Sequence, residues 1–209
     1  MTLTLHEAPM SSAVPVRHAL LELGVPYERK LLDLAAKDQK KPEFLRLNPN
    51  GKVPTLVHDG TPMFEALAIL EWLGDRFGVE RKLWPAADST ERLTAMAWST
   101  WGYVSFGPAL YRLRLATNPE SPAGLRSEAY ASHAREELST LLTVLDSHLA
   151  AREFVLASGY SLADIVVGDV VTWGTYVGMP VDDFPHVRAW LERVHARPSY
   201  REAWGAGSA

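Results

Sequence analysis

Residues 42–60 read "PEFLRLNPNGKVPTLVHDG", and residues 64–78 continue as "FEALAILEWLGDRFG". The first part predicts a short helix stopped by Asn48, Pro49 and Gly51. Behind it, "VPTLVHDGTPMFE" predicts a hairpin, because Asp59 and Gly60 tolerate the positive φ angles of a tight turn. From Glu65 onward, Leu67, Ile69, Leu70 and Leu73 recur at helical spacing, and Gly74 or Gly78 ends the helix. Pro54 is the awkward residue. At the start of a strand it removes a ladder donor and restricts Val53. A trans proline at a strand edge accommodates this, and so does a cis bond that turns the Val53 N–H and C=O outward; the residues alone leave both open.

Upstream, Thr2 to His6 alternate polar and apolar as a strand does. Val16, Ala19, Leu20 and Leu23 then follow a helical period up to Gly24, and "VPYERKLLDL" predicts a second strand. A strand returning after a helix implies a right-handed βαβ unit with parallel strands. The order over residues 1–80 is therefore βαβ, α, ββα. Downstream, an aperiodic stretch from about Gly78 to Asp88 is expected to be a linker, and everything over residues 88–209 reads as helix. The segment "TERLTAMAWSTWGYVSFGPALYRLRLAT" predicts a long helix kinked at Gly107 and Pro108. Another follows, with Leu138, Leu141, Leu142, Leu145 and Leu149 on one face. The run "SLADIVVGDVVTWGTYVG" opens on a capping box, Ser161 with Asp164, and is apolar nearly all round, as suits the centre of a bundle. "FPHVRAWLERVHARPSYREAW" packs outside it, and the "GAGSA" tail is expected to fray.

Composition narrows the chemistry. The chain has 209 residues, an ordinary apolar fraction of 47%, and no cysteine, so no disulfide, thiolate metal site or protein thiol nucleophile is available. A formal charge of −4 without a basic run gives no general attraction to nucleic acid or an anionic membrane. "MTLTLHEAP" lacks the features of a secretory signal, and no segment approaches the roughly 18 apolar residues of a spanning helix, so a cytoplasmic location is expected. The histidines have no metal-ligand spacing, and Ser161 is not part of a G-x-S-x-G elbow.

The element order, together with "NPNGKVPTL" and "EALAILEWL", resembles the cytosolic glutathione transferases, in which the corresponding segments read approximately N-P-x-G-x-V-P-x-L and E-S-x-A-I-x-x-Y-L. The resemblance covers nearly the whole chain and is firmest over residues 1–80. It implies a thioredoxin-like N-terminal domain with a mixed four-stranded sheet, and an all-helical C-terminal bundle. It also implies a cis Val53–Pro54 bond, whose exposed Val53 groups pair with the cysteinyl backbone of glutathione. Glu65 and the helix N-terminus at Ala66 would receive the γ-glutamyl end, and Lys52 would lie near the glycyl end. Ala66 departs from the pattern, which has serine there. Glutathione as cosubstrate, no metal, a homodimer and detoxifying conjugation of a small apolar electrophile are further implications of the resemblance.

Such an enzyme must present a thiolate. Lowering a thiol pKa by two units from about 8.5 requires about 2.7 kcal/mol, and one hydroxyl hydrogen bond to an anion supplies about 1.5 to 3 kcal/mol. A single serine near the first helix suffices, and no tyrosine occurs in that region. Pro15 belongs in the first helical turn, so the helix begins near residues 12–14. Ser12 then fits as N-cap and Ser11 precedes it, facing the ligand; "P-M-S" resembles the P-x-S of serine-type transferases. Counting back from Gly24 reaches Met10, Ser11 or Ser12, so Ser11 and Ser12 both stay candidates. Met10, Trp101, Tyr103, Phe106 and Tyr111 are candidates for the electrophile pocket, with at least half of the helical aromatics expected to be bundle packing. A non-catalytic binding protein of the same fold is the alternative, and Ala66 leans that way.

Overall fold

The computed structural model describes residues 2–179 and 181–205. They divide into two compact units, residues 2–87 with 195–205, and residues 88–194. The "GAGSA" tail falls on residues 205–209, of which Gly205 closes the last helix and the rest lie outside the described residues.

The first unit is built on strands β1 (Leu3–Glu7), β2 (Glu28–Leu31), β3 (Thr55–His58) and β4 (Thr61–Phe64). They form one mixed sheet in the order β2-β1-β3-β4. The β1–β2 pair is parallel, as a strand–helix–strand crossover requires, and the other two pairs are antiparallel. Strand β2 is shorter than "VPYERKLLDL" suggests. All four of its residues are exposed, because charged Glu28, Arg29 and Lys30 occupy a sheet edge that must not pair further. The β3–β4 turn uses Asp59 and Gly60 at φ 46° and 84°, as expected of a tight hairpin.

Helix α1 (Val14–Leu23) and helix α3 (Ala66–Leu73) pack on each other, and both are largely buried. Between them α2 (Pro42–Leu45) is a single turn that buries Phe44. A π-helical turn, Gly74–Gly78, extends α3, so both glycines are used: one where the helix changes register and one where it stops. The stretch beyond Gly78 is no free linker. Trp84 is buried and its indole N–H donates to Asp75 at 3.0 Å. A Cβ on Gly74 would come within 2.7 Å of that indole, which is why glycine stands there.

The second unit contains α4 (Thr90–Trp101), α5 (Gly107–Thr117), α6 (Glu128–Leu149) and α7 (Leu162–Tyr176), followed by α8 (Pro185–His195), whose last residue groups with the first unit. The expected kink between α4 and α5 takes the form of a π-helical turn, Gly102–Phe106. Pro108 lacks the N–H that would serve the Val104 carbonyl, so the ladder shifts register just before it. Helix α7 is buried along most of its length and opens on the expected capping box. Asp164 accepts from the Ser161 and Val155 amides, each at 2.8 Å, and from the Trp190 indole at 2.9 Å. Burial pushes its carboxyl up to about 6 against the pull of those donors. The last apolar segment is two helices: Pro198 starts α9 (Pro198–Gly205), which packs on α1 in the first unit. Glu22 of α1 holds α9 through Arg197 and Ser199. No helix among the described residues is long and apolar enough to cross a membrane.

Candidate active site

His6, Thr55 and Phe64 lie side by side across β1, β3 and β4. The loop after β1, the loop before β3 and the residue after β4 therefore leave the sheet at one end. These three segments carry the serines, Val53–Pro54 and Glu65.

The middle segment is held by Asn48. Its side chain is buried and donates to the Lys52 carbonyl at 2.7 Å and to the Thr55 hydroxyl at 3.1 Å, while its oxygen accepts from the Asn50 amide at 3.0 Å. Gly51, at φ 58°, closes the turn with its amide on the Asn48 carbonyl. The Val53–Pro54 bond that follows is cis. Val53 packs in a small apolar cluster with Ala8, Ala13 and Phe44, which fixes it against the first loop. Lys52 is exposed beside it.

Across from Val53 runs the loop 8–13, with Met10 in a left-handed conformation at φ 49° and largely exposed. Ser12 does not take the capping role expected of it. Helix α1 starts at Val14 with Ala13 as its N-cap, and Ser12 caps nothing. Ser11 is the residue bound into the turn: its hydroxyl donates to the Ala8 carbonyl at 2.6 Å and accepts from the Ala13 amide at 3.2 Å. Pro15 sits at the second helical position and not the third, which moves the cap by one residue. Ser12 is exposed, and its hydroxyl donates to the carbonyl of Val53 at 2.8 Å.

Glu65 completes the row. It precedes α3 with φ 71° and ψ 113°, and its side chain is exposed. No side chain caps α3, so the amides of its first turn are open to an acceptor. Family models for the glutathione S-transferase N-terminal domain and C-terminal domain match residues 10–76 and 102–198. The chain belongs to the glutathione S-transferase family.

Relatives agree over nearly the full length. Glutathione S-transferase 3 of Zea mays is 30% identical, covering 98% of this chain and 94% of the relative. The disulfide-bond oxidoreductase YfcG of Escherichia coli is 28% identical, with 95% and 93% covered. A glutathione transferase of Burkholderia graminis, solved with two glutathione molecules per subunit, superposes with a TM-score of 0.86 at 30% identity, covering 99% of this chain and 89% of that one.

Two groups near these loops escape the sequence reading. Asn48 was read only as a helix stop, although an asparagine within "NPNG" has the donors and acceptor to tie a loop. Glu7, the second, is buried at 1% exposure and meets the guanidinium of Arg29 and, at 3.7 Å, that of Arg17. Leu3, Leu5 and Glu7 share one face of β1, so the alternation already put an acid in the core. His6 points to the other face, where its ring meets Phe44 edge-on at 5.6 Å; burial first, then Lys30, lowers its pKa. In the helical unit Trp101 packs on Phe106 at 5.4 Å, and Phe106 has no exposed surface, so it belongs to the bundle core. Tyr111 is more than half exposed, and Tyr103 is partly buried, its phenol pushed upward by burial and then by Asp169.

Proposed function

We propose that this protein transfers the sulfur of glutathione to a small apolar electrophile, with the Ser12 hydroxyl stabilising the thiolate. The observation that carries the reading is the 2.8 Å hydrogen bond from Ser12 to the Val53 carbonyl. Val53 stands before a cis proline, where its backbone is suited to pair with an extended peptide. When the cysteinyl N–H of glutathione satisfies that carbonyl, the Ser12 hydroxyl can rotate from it to the adjacent sulfur without leaving the oxygen unpaired. Ser11 has no such freedom, since its oxygen is engaged on both sides by the turn.

The rest of the tripeptide follows the same row of loops. The γ-glutamyl carboxylate meets the open amides at the start of α3, Glu65 accepts its ammonium, and Lys52 attracts the glycyl carboxylate. Ala66 gives no hydroxyl, so the backbone carries that end. The thiol releases its proton to solvent; the thiolate then attacks the electrophilic carbon, a C–S bond forms and the leaving group departs with its electron pair. Glutathione is kept reduced in the cytoplasm, where we place the reaction.

Retention on immobilised glutathione and a thiol-conjugation assay test the assignment together. Ser12→Ala is expected to lower kcat/KM by about 10- to 100-fold, the loss of one hydrogen bond to an anion, with Ser11→Ala acting mainly on stability. A larger catalytic loss in Ser11→Ala than in Ser12→Ala reverses the assignment, and an unretained wild type removes the transferase reading.

A further inference from the structure

Strand β1 turns His6 to the face away from the one that buries Leu3 and Leu5. His6 pairs in register with Lys30 of β2, and Leu32 continues β2 by donating its amide to the Glu7 carbonyl at 2.9 Å, so His6, Lys30 and Leu32 stand on that face together. Helix α2, with the turns on either side of it, closes over them and leaves a hollow of about 340 Å³, a size that accepts one small ligand. Its apolar walls are Leu32, Phe44 and Leu47. Phe44 is buried in a cluster with Ala8, Ala13 and Val53, and Leu32 packs on the same cluster, so this wall is built before any ligand arrives. The His6 ring meets Phe44 edge-on, and its nitrogens make no hydrogen bond among the described residues. Burial and then Lys30 hold its pKa down, which leaves the imidazole uncharged at neutral pH, with one donor and one acceptor nitrogen.

The rim carries the charge. Lys30 is held by Glu28 at 2.5 Å and Lys41 by Asp38 at 2.6 Å. Asp38 raises the pKa of the Lys41 ammonium, and Glu43 and Asp33 add to the effect. Lys40 is engaged by the Asn50 carbonyl at 3.2 Å, and the exposed Lys37 and Arg46 do not line the hollow. Glu43 lines it, is exposed, and makes no ion pair among the described residues. Each lining lysine thus has a carboxylate of its own, and one further carboxylate remains for a cation. We propose that this hollow binds a small aromatic amine, its ring against His6, Phe44 and the two leucines and its ammonium on Glu43. The edge of Phe44 suits a flat ring, and the acceptor nitrogen of His6 suits a ring N–H. Such a ligand rests on the sheet and α2 alone, so the inference stands apart from the glutathione reading.

Tryptamine has both features; indole lacks the ammonium, and indolepropionate replaces it with a carboxylate. Each is titrated into the isotopically labelled full-length protein, and the backbone amide resonances are followed. Tryptamine is expected to shift the amides of Leu32, Phe44 and Leu47 together, with a Kd of about 1 mM, as its size allows. Glu43→Gln, an exposed change that keeps the fold, is expected to weaken tryptamine about two- to fivefold and to leave indole unchanged. Leu47→Trp, which fills the hollow, is expected to remove both. Indolepropionate binding as tightly as tryptamine, or an equal response of tryptamine and indole to Glu43→Gln, overturns the assignment of an amine. Tryptamine shifts confined to other residues, or none at a concentration tenfold above the expected Kd, overturn the site itself.

Discussion

Replacing Asn48 by alanine tests whether a buried side chain holds the loop of residues 48–55, the proposed glutathione loop, in shape. The substitution removes three hydrogen bonds, to Lys52 O, Thr55 Oγ1 and the Asn50 amide. At about 1 kcal/mol net for each, that is about 3 kcal/mol. Thr55 also donates to the Lys52 carbonyl at 3.3 Å, so that oxygen keeps one partner, and about 2 kcal/mol is the lower bound. For a chain of this size the loss corresponds to a fall in melting temperature of about 4 to 12 °C. Glutathione affinity should fall by more than global stability requires, because Lys52 and Val53 lie inside the span that Asn48 closes. Thermal unfolding with and without glutathione, together with calorimetric titration, reads both quantities. Thr55→Val removes one of the three bonds together with the Thr55 bond to the Lys52 carbonyl, about 2 kcal/mol on the same scale, and leaves Asn48 tied to Lys52 and Asn50 as the control. A destabilised Asn48→Ala protein that binds glutathione with wild-type affinity would refute the reasoning, since the loop would then keep its form without its tie.

Two further outcomes concern a missing hydroxyl and a buried acid. Ala66→Ser restores a donor at the first position of α3 and is expected to tighten glutathione binding about fivefold, equivalent to about 1 kcal/mol; unchanged affinity by titration would mean that the γ-glutamyl carboxylate does not sit there. Asp164 has a folded-state pKa raised to about 6 by burial, above its ordinary value, so its contribution to stability is full below about pH 4 and is lost as pH rises through 6. The stability gap between wild type and Asp164→Asn, followed by denaturant unfolding, should therefore widen from pH 7 to pH 5, and a gap that narrows contradicts the sign.

Much of the architecture is legible because local rules and tertiary demands coincide. Asp59–Gly60 admits a tight turn and little else, and the β3–β4 hairpin uses it. The run from Leu162 is apolar nearly all round, and α7 is buried over most of its length accordingly. Where the reading departs from the structure, a tertiary partner decides. Trp84 turns an aperiodic stretch into a packed one by settling on Gly74, and no periodicity signals a contact made by one side chain. Pro198 separates α8 from α9 within "FPHVRAWLERVHARPSYREAW", and α9 turns onto α1, where Glu22 and Arg17 receive it.

At the site, legibility stops at the level of single hydroxyls. Whether Ser12 or Ala13 caps α1 depends on whether Pro15 is the third or the second helical residue, a difference of one position that residue preferences do not resolve. The structure makes it the second, and the consequence reaches the chemistry: the turn then engages Ser11 from both sides and leaves Ser12 against Val53. The charge behind the loop follows a different rule. Alternation along β1 puts Glu7 in the core, and a buried acid demands partners, but nothing local says that both partners come from elements 10 and 22 residues away, Arg17 in α1 and Arg29 in β2. The parallel β1–β2 pairing, with Glu7 beside Leu31, is what brings Arg29 within reach on the same face. The crossover that defines the fold thus also assembles this buried ion cluster, so the position of the two arginines is a property of topology.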